Sequence, residues 1–200
     1  MGVLSEATVA LGGVRGGAGA GGAILSSEFL AACGRVLPVV SGLGAGLAIV
    51  KSDIGGNIGR LVERHAQDEA KYEQLFGIVL AEVEAGTAKR TDSATNALLW
   101  LRRAMAFIVA IVAGLAADEA LGCAEVAQRA YGETLKRYHG WMVQQGVQVA
   151  LRFAPRREAF VEALGGDGAA EMRAFAETAA PLLEEIRQFL DDKGLDDATV

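Results

Sequence analysis

Cysteine is scarce: Cys33 and Cys123 are the two in 200 residues, and both stand in apolar, helix-like surroundings with no CxxC or Cys/His spacing. That pattern argues against a disulfide framework and against a zinc site, and it points to a reducing cytosol. Aromatic residues are few as well, at 6% in a chain that is 52% hydrophobic with a mean hydropathy of +0.28, so the apolar surplus is aliphatic and small. No apolar run reaches the roughly 20 residues a membrane span needs. The stretch from Val36 to Val50 is broken by Pro38, Ser41 and three glycines, and the stretch from Ala104 to Ala117 stops short. The surplus therefore belongs to an interior. Positive charge is in deficit too, 19 Lys and Arg against 25 Asp and Glu for a net charge of -6. No broad basic field is available to hold a phosphate backbone, so nucleic acid is not an expected partner. A basic segment leading into an uninterrupted apolar stretch, as in a secretory leader, is missing, and Met1-Gly2 lacks the Ser or Thr of a myristoylation start because Glu6 stands there.

What is present reads as helix. The length suits one domain. Residues 1–23 are rich in Gly and Ala, with Val14 the one sizeable apolar residue between Gly12 and Gly22, and are expected to form a flexible arm ahead of a domain over 24–200. Ser26 or Ser27 can cap a first core helix near Glu28, carried by Phe29, Leu30, Cys33, Val36 and Leu37 until Pro38 disturbs it. Apolar residues recur at a 3.6 period over Val50–Ala66, Glu69–Ala85, Thr91–Leu115, Asp118–Tyr138, His139–Phe153 and Ala169–Leu190, with punctuation at Gly86, Pro155, Gly165-Gly166 and Gly194. In the last segment Met172, Phe175, Ala179, Leu182, Ile186 and Leu190 make one stripe, and Pro181 predicts a kink or break. No strand alternation and no internal repeat stand out, so the fold class is all-α.

Three polar groupings interrupt these apolar faces. Asp53, Asn57 and Arg60 fall at i, i+4 and i+7 on one helix face and offer an acceptor, an amide and a cation, a set able to hydrogen-bond a polyhydroxylated group from several sides. The plainer reading is an exposed ion-pair face. Glycines at 55, 56 and 59 weaken it, since they cost helix stability and suggest something approaching the backbone. Asn96, Trp100, Arg103 and Phe107 share a second face, where the indole is either core or a platform for a sugar ring. In Tyr138-His139-Gly140-Trp141, His139 is either a structural hydrogen-bonder or part of a site, and Trp141 is either core or interfacial. His65 reads as part of a solvated face.

In order along the chain, Asp53-Ile-Gly-Gly-Asn57-Ile-Gly-Arg60, Leu98-Leu-Trp100-Leu-Arg-Arg103 and Tyr138-His139-Gly-Trp141, with Ala154-Pro155 and Phe160 after them, resemble the glycolipid transfer protein family from about Phe29 to Phe160. The resemblance implies a two-layer all-α sandwich enclosing a lipid-binding pocket, and a carrier that moves sphingolipids between membranes without chemistry. It implies that Asp53 holds the lipid amide and head group, that Asn57 binds sugar hydroxyls, that Trp100 stacks on the sugar, that His139 hydrogen-bonds the ceramide amide and that Trp141 docks on membrane. Arg60 stands where a lysine is common, which keeps the charge and changes the donor geometry. The ceramide-1-phosphate branch has arginines in place of Asn96 and Trp100 and a lysine in place of Asn57. The head group expected here is accordingly a sugar, with ceramide-1-phosphate or another anionic sphingolipid as the alternative because Arg60, Arg102 and Arg103 supply charge. Arg152 replaces a tyrosine usual in the glycolipid branch, and Gln145-Gly146 replace a basic and a bulky apolar residue.

The apolar sleeve for the chains is expected from the faces bearing Phe29, Leu30, Leu37, Phe107, Ile111, Leu135, Val143 and Phe153. A monomeric, cytoplasmic protein in reversible peripheral contact with membranes is expected, with no cofactor and no metal. An enzyme using Asp53 and His139 as acid and base is the reading from another class, but no nucleophile elbow, metal-ligand cluster or phosphate loop completes such a site. A purely structural helical bundle is the third, and it would bind no lipid.

Overall fold

The computed structural model describes residues 2–16, 22–165 and 168–197. Nine α-helices are described: α1 (Val3–Gly12), α2 (Ser26–Gly42), α3 (Ala48–His65), α4 (Leu75–Glu84), α5 (Ala94–Ala117), α6 (Cys123–Glu133), α7 (Trp141–Leu151), α8 (Arg157–Leu164) and α9 (Gly168–Asp192). Two single 3₁₀ turns, Ala45–Leu47 and Lys136–Tyr138, lead towards α3 and α7. Among the described residues there is no strand, only isolated bridges pairing Arg15 with Ile24 and Leu25 with Gln74. The architecture is the expected two-layer all-α sandwich. Helices α1, α2, α3, α5 and α9 each pack on the next and α9 returns to α1, while α4 and α6 lie on α5 and α7 lies on α6.

Helix α5 is the centre of this arrangement. Its 24 residues are long and apolar enough to cross a membrane by length and composition, with a mean hydropathy of 1.9 over the richest window, but 72% of that window is buried inside the protein. The helix coincides closely with the one expected over Thr91–Leu115, and Arg102 and Arg103 interrupt its apolar run without ending it. The start of α5 is fixed with care. Ser93 caps it, its Oγ accepting from Asn96 N at 2.9 Å. The buried Glu82 carboxylate on α4 accepts from Ala94 N, Thr95 N and Thr95 Oγ1 at 3.0, 2.8 and 2.7 Å, so an anion sits on the positive end of the helix. Replacing Glu82 with alanine is expected to cost about 2–3 kcal/mol and lower the thermal midpoint by roughly 5–10 °C in a melting experiment.

The arm expected over 1–23 is corrected by α1. Leu4, Ala7, Leu11 and Val14 are buried, a 3-4-3 spacing that lays one apolar stripe on α2 and α9. Burying Leu4, Leu11 and Val14 at ~1.5–3 kcal/mol each outweighs the low anchoring power of the alanines and glycines around them. Residues 17–21 lie outside the described residues. Ser26 is not a cap: it is the first residue of α2, and its buried hydroxyl donates to the Tyr72 carbonyl at 2.6 Å. Pro38 and Pro181 both sit inside continuous helices. The segment expected as one helix over Asp118–Tyr138 is cut to α6 with a separate 3₁₀ turn, and α8 appears where no helix is expected. Gly46 explains how α3 is approached so closely. A Cβ there would collide with the Ala150 carbonyl of α7, so the missing side chain lets α7 lie against the lead-in to α3.

Candidate functional site

Six side chains from three places in the chain meet in one cleft. Asp53, Asn57 and Arg60 come from α3, Asn96 and Trp100 from α5, and His139 from the link before α7, and together they line a cavity of about 430 Å³. Thr91 completes the polar end, and Val50, Ala104, Leu135, Val143 and Val147 form the apolar end. The i, i+4, i+7 spacing on α3 does aim its three residues into one space. A Cβ on Gly55, Gly56 or Gly59 would meet nothing within 4 Å. No protein packing demands those glycines, and Gly56 lines an outer hollow of about 420 Å³ beside Asp53 and Asn57.

The two amides are held in different ways. Asn96 Nδ2 donates to the Thr91 carbonyl at 2.7 Å, which fixes the amide, since the reverse orientation would set oxygen against oxygen. Its Oδ1 is buried without a partner. Asn57 presents the complement, a buried Nδ2 with no hydrogen-bond acceptor. Both atoms lie beneath the cleft surface, so what the open cleft itself offers a ligand is the Asp53 carboxylate, the Arg60 guanidinium and the ring faces beside the two amides. Arg60 Nη1 also reaches the Thr91 carbonyl, at 3.3 Å.

Behind this polar end lies a stack of rings. The Trp100 indole is half-buried, and the His139 imidazole lies nearly parallel to it, with centroids 5.9 Å apart at 16°. Tyr131 Oη, from α6, is 2.9 Å from His139 Nδ1. With the phenol donating to Nδ1, the proton of neutral His139 sits on Nε2 and is available to a ligand carbonyl. Burial pushes the His139 pKa below its ordinary value, while the nearby Asp53 carboxylate pulls it back up. Burial likewise raises the Asp53 pKa, opposed by the nearby Asn57 amide, which lies outside hydrogen-bond geometry in this structure, and by His139 and Arg60.

These shifts have opposite consequences for stability. The unfolded chain protonates His139 first, so its contribution is fully present above about pH 6.5 and is lost as pH falls through the folded value. For Asp53 the folded state holds its proton more tightly, so stability is lost as pH rises from about 3.8 through the folded value. Urea unfolding is expected to give a lower stability at pH 5.5 than at pH 7.5, a difference that His139→Asn diminishes. An unchanged difference in that variant would remove His139 from the account.

The apolar residues divide. Leu135 and Val143 line the cleft. Phe29, Leu30, Phe107 and Ile111 are in the core, and Leu37 packs half-buried against it. Phe153 is at the surface, 73% exposed. Trp141 is not core either: it is 74% exposed, and Met142, Val143, Val149, Phe153 and Ile49 are exposed too. Sequence reasoning gave no role to Tyr131 and Thr91. The residues that fix His139 and Asn96 leave no periodic signal, because one contact runs across a turn and the other uses a backbone carbonyl.

The sequence profile described as Glycolipid transfer protein (GLTP) matches residues 24–166. The chain belongs to the glycolipid transfer protein family. Within the family, glycolipid transfer protein 1 of Arabidopsis thaliana is 38% identical over 178 residues, 88% of each chain. Pleckstrin homology domain-containing family A member 8 of Homo sapiens is 39% identical over 142 residues, 70% of this chain and 27% of its own length. Among solved structures, the glycolipid transfer fold of FAPP2, which selects simple glycosphingolipids, superposes with a TM-score of 0.89 at 30% identity over 100% of both chains. Human ceramide-1-phosphate transfer protein, solved with 12:0 ceramide-1-phosphate bound, shares the fold at a TM-score of 0.83 and 18% identity over 98% of each chain. Sphingolipids are thus bound ligands of proteins with this fold. The glycolipid transfer protein profile ends at residue 166, yet α9 beyond it packs along α5 and α1.

Proposed function

We propose that this protein binds glycosphingolipids and transfers them between membranes, holding a sugar and amide head in the cleft and shielding the chains with apolar helix faces. The observation that carries this is the convergence, in one 430 Å³ cleft, of Asp53, Asn57, Arg60 and Asn96 with the Trp100 indole and His139. A sugar offers hydroxyls to Asp53, Asn57, Arg60 and Asn96 and an apolar ring face to Trp100. His139 Nε2–H then faces the amide. A phosphate monoester is mostly dianionic at neutral pH, so it brings acceptors and no donor for the Asp53 carboxylate and sets its charge against that group. The character of FAPP2, a selector of simple glycosphingolipids, supports the same reading.

The need for a carrier follows from the chains. Drawing about thirty methylenes through water at ~0.8 kcal/mol each raises a barrier on the order of 20 kcal/mol. Leu135, Val143 and Val147 at the apolar end of the cleft mark where the chains start. The path continues into the core past Phe107 and Ile111 of α5 and Phe29 and Leu30 of α2, buried residues that exchange protein contacts for contacts with lipid. Trp141, with Met142 and Phe153, forms the surface that docks on the membrane in reversible, peripheral contact from the cytoplasm, and the carrier works as a monomer. Changing Trp141 and Met142 together to alanine is expected to slow vesicle-to-vesicle transfer about tenfold while glycolipid binding in detergent-free solution stays within twofold. Equal loss of both would place these residues in folding instead.

Mass spectrometry of lipid carried through purification tests the function itself. Glycosylated ceramides are the expected species. Recovery of ceramide-1-phosphate alone, or of no lipid from cells that contain both, contradicts the assignment.

A further inference from the structure

Below the ring stack lies a cation that the cleft does not expose. Arg103, three residues after Trp100 on α5, has a side chain only 1% exposed. Its guanidinium carbon lies 3.5 Å from the centre of the Tyr138 ring and 5.1 Å from that of Trp100. Its polar partners come from 93 residues further on. Nη2 donates to Asp196 Oδ1 at 3.0 Å and to the Asp197 carbonyl at 2.8 Å, and Arg102 Nη2 reaches the same Asp196 oxygen at 3.4 Å. Nε and Nη1 of Arg103 have no hydrogen-bond partner. One nitrogen and the ring faces therefore hold the group in place.

The segment that supplies these contacts is built to stay. After α9, Gly194 takes φ 64°, Leu195 N donates back to the Leu190 carbonyl at 2.8 Å, and the Leu195 side chain is buried. This glycine-closed helix end turns the chain back over α5. The turn delivers the Asp196 carboxylate, whose side chain is 7% exposed, to the two arginines.

We propose that residues 195–197 act as a strap that positions the head-group platform: Asp196 fixes Arg103, and Arg103 supports the Trp100 and Tyr138 rings from below. A planar cation that stacks on a ring while its edge donates to an anion orients that ring, which a lysine ammonium at the same place could not do. Arg103 and Asp196 are positioning residues. They touch no lipid, and they set how well the cleft distinguishes a sugar head from a bare ceramide. This rests on Trp100 being the platform for the head group.

Two readouts test it, one with lipid and one without. With Trp141→Phe as background, Trp100 is the one remaining tryptophan, and acrylamide quenching of its fluorescence reports on the ring in the free protein. Asp196→Ala and Arg103→Lys are expected to raise the quenching constant at least twofold, and Asp196→Glu to restore it. In titrations with short-chain glucosylceramide and ceramide, Asp196→Ala is expected to lower the preference for glucosylceramide at least fivefold, with ceramide affinity within twofold. Unchanged quenching in Asp196→Ala, or an equal fall in both affinities, overturns the strap. If Asp196→Ala does not fold, the near-isosteric Asp196→Asn is judged by the same quenching criterion. If the wild-type protein fails to bind glucosylceramide, the proposed function falls, while the quenching result still decides whether the strap orients Trp100.

Discussion

Trp100→Ala is expected to slow glycolipid transfer about 100-fold relative to the unaltered protein and to leave far-UV circular dichroism unchanged. In the proposed site the indole supplies the apolar face for the sugar, and truncation removes that contact and frees the His139 ring that lies against it. The lost ring-on-sugar burial amounts to about 3 kcal/mol, or roughly two decades in affinity. The fold survives because Trp100 is half-buried at the cleft wall, while the residues beneath it, Leu98, Leu99, Leu101 and Ala104, carry the core contacts of α5. Trp100→Phe retains a flat apolar face and recovers a large part of the activity. Normal transfer by Trp100→Ala would remove the platform from the account.

Asp53→Val is expected to give the second large effect, a loss of roughly 30-fold or more in glycolipid affinity with helix content again unchanged. The carboxylate is the anionic acceptor among the α3 residues of the cleft, and sugar hydroxyls that it would satisfy are left as buried donors at about 1–3 kcal/mol each. Asp53→Asn separates this from charge. It keeps an acceptor and removes the repulsion of a phosphate, so affinity for ceramide-1-phosphate is expected to rise relative to glucosylceramide. Competition binding against a fluorescent glycolipid measures both. A preference unmoved by Asp53→Asn would mean that charge at this position does not sort the head groups.

How far the sequence could be read depends on what carried the information. The spacing of Asp53, Asn57 and Arg60 was enough to put them on one face, because a helix fixes that geometry locally. Bringing that face to Trp100 and His139 rests on the packing of α3 on α5 and on the turn before α7, contacts that no local pattern encodes; the ordered family resemblance supplied them. The apolar sleeve was the least legible part. Periodicity says that Phe107 and Ile111 are buried but not against what, so they came out as core beside Leu135 and Val143, which reach the cleft, while Phe153 came out exposed. The helix over residues 3–12 was hidden by its alanines and glycines, although Leu4, Ala7, Leu11 and Val14 hold the right spacing. Arg103 was visible as a member of the Trp100 face, but Asp196, its partner, lies 93 residues away, and a buried ion pair leaves no pattern at that distance.

A vesicle transfer assay with paired donors tests the central claim most directly, one population carrying glucosylceramide and the other ceramide-1-phosphate at equal density, each with neutral acceptor vesicles. The cleft described above predicts transfer of glucosylceramide at least tenfold faster than of ceramide-1-phosphate, with the preference lost in Trp100→Ala. Equal rates for the two lipids, or faster movement of the phosphorylated one, would contradict it.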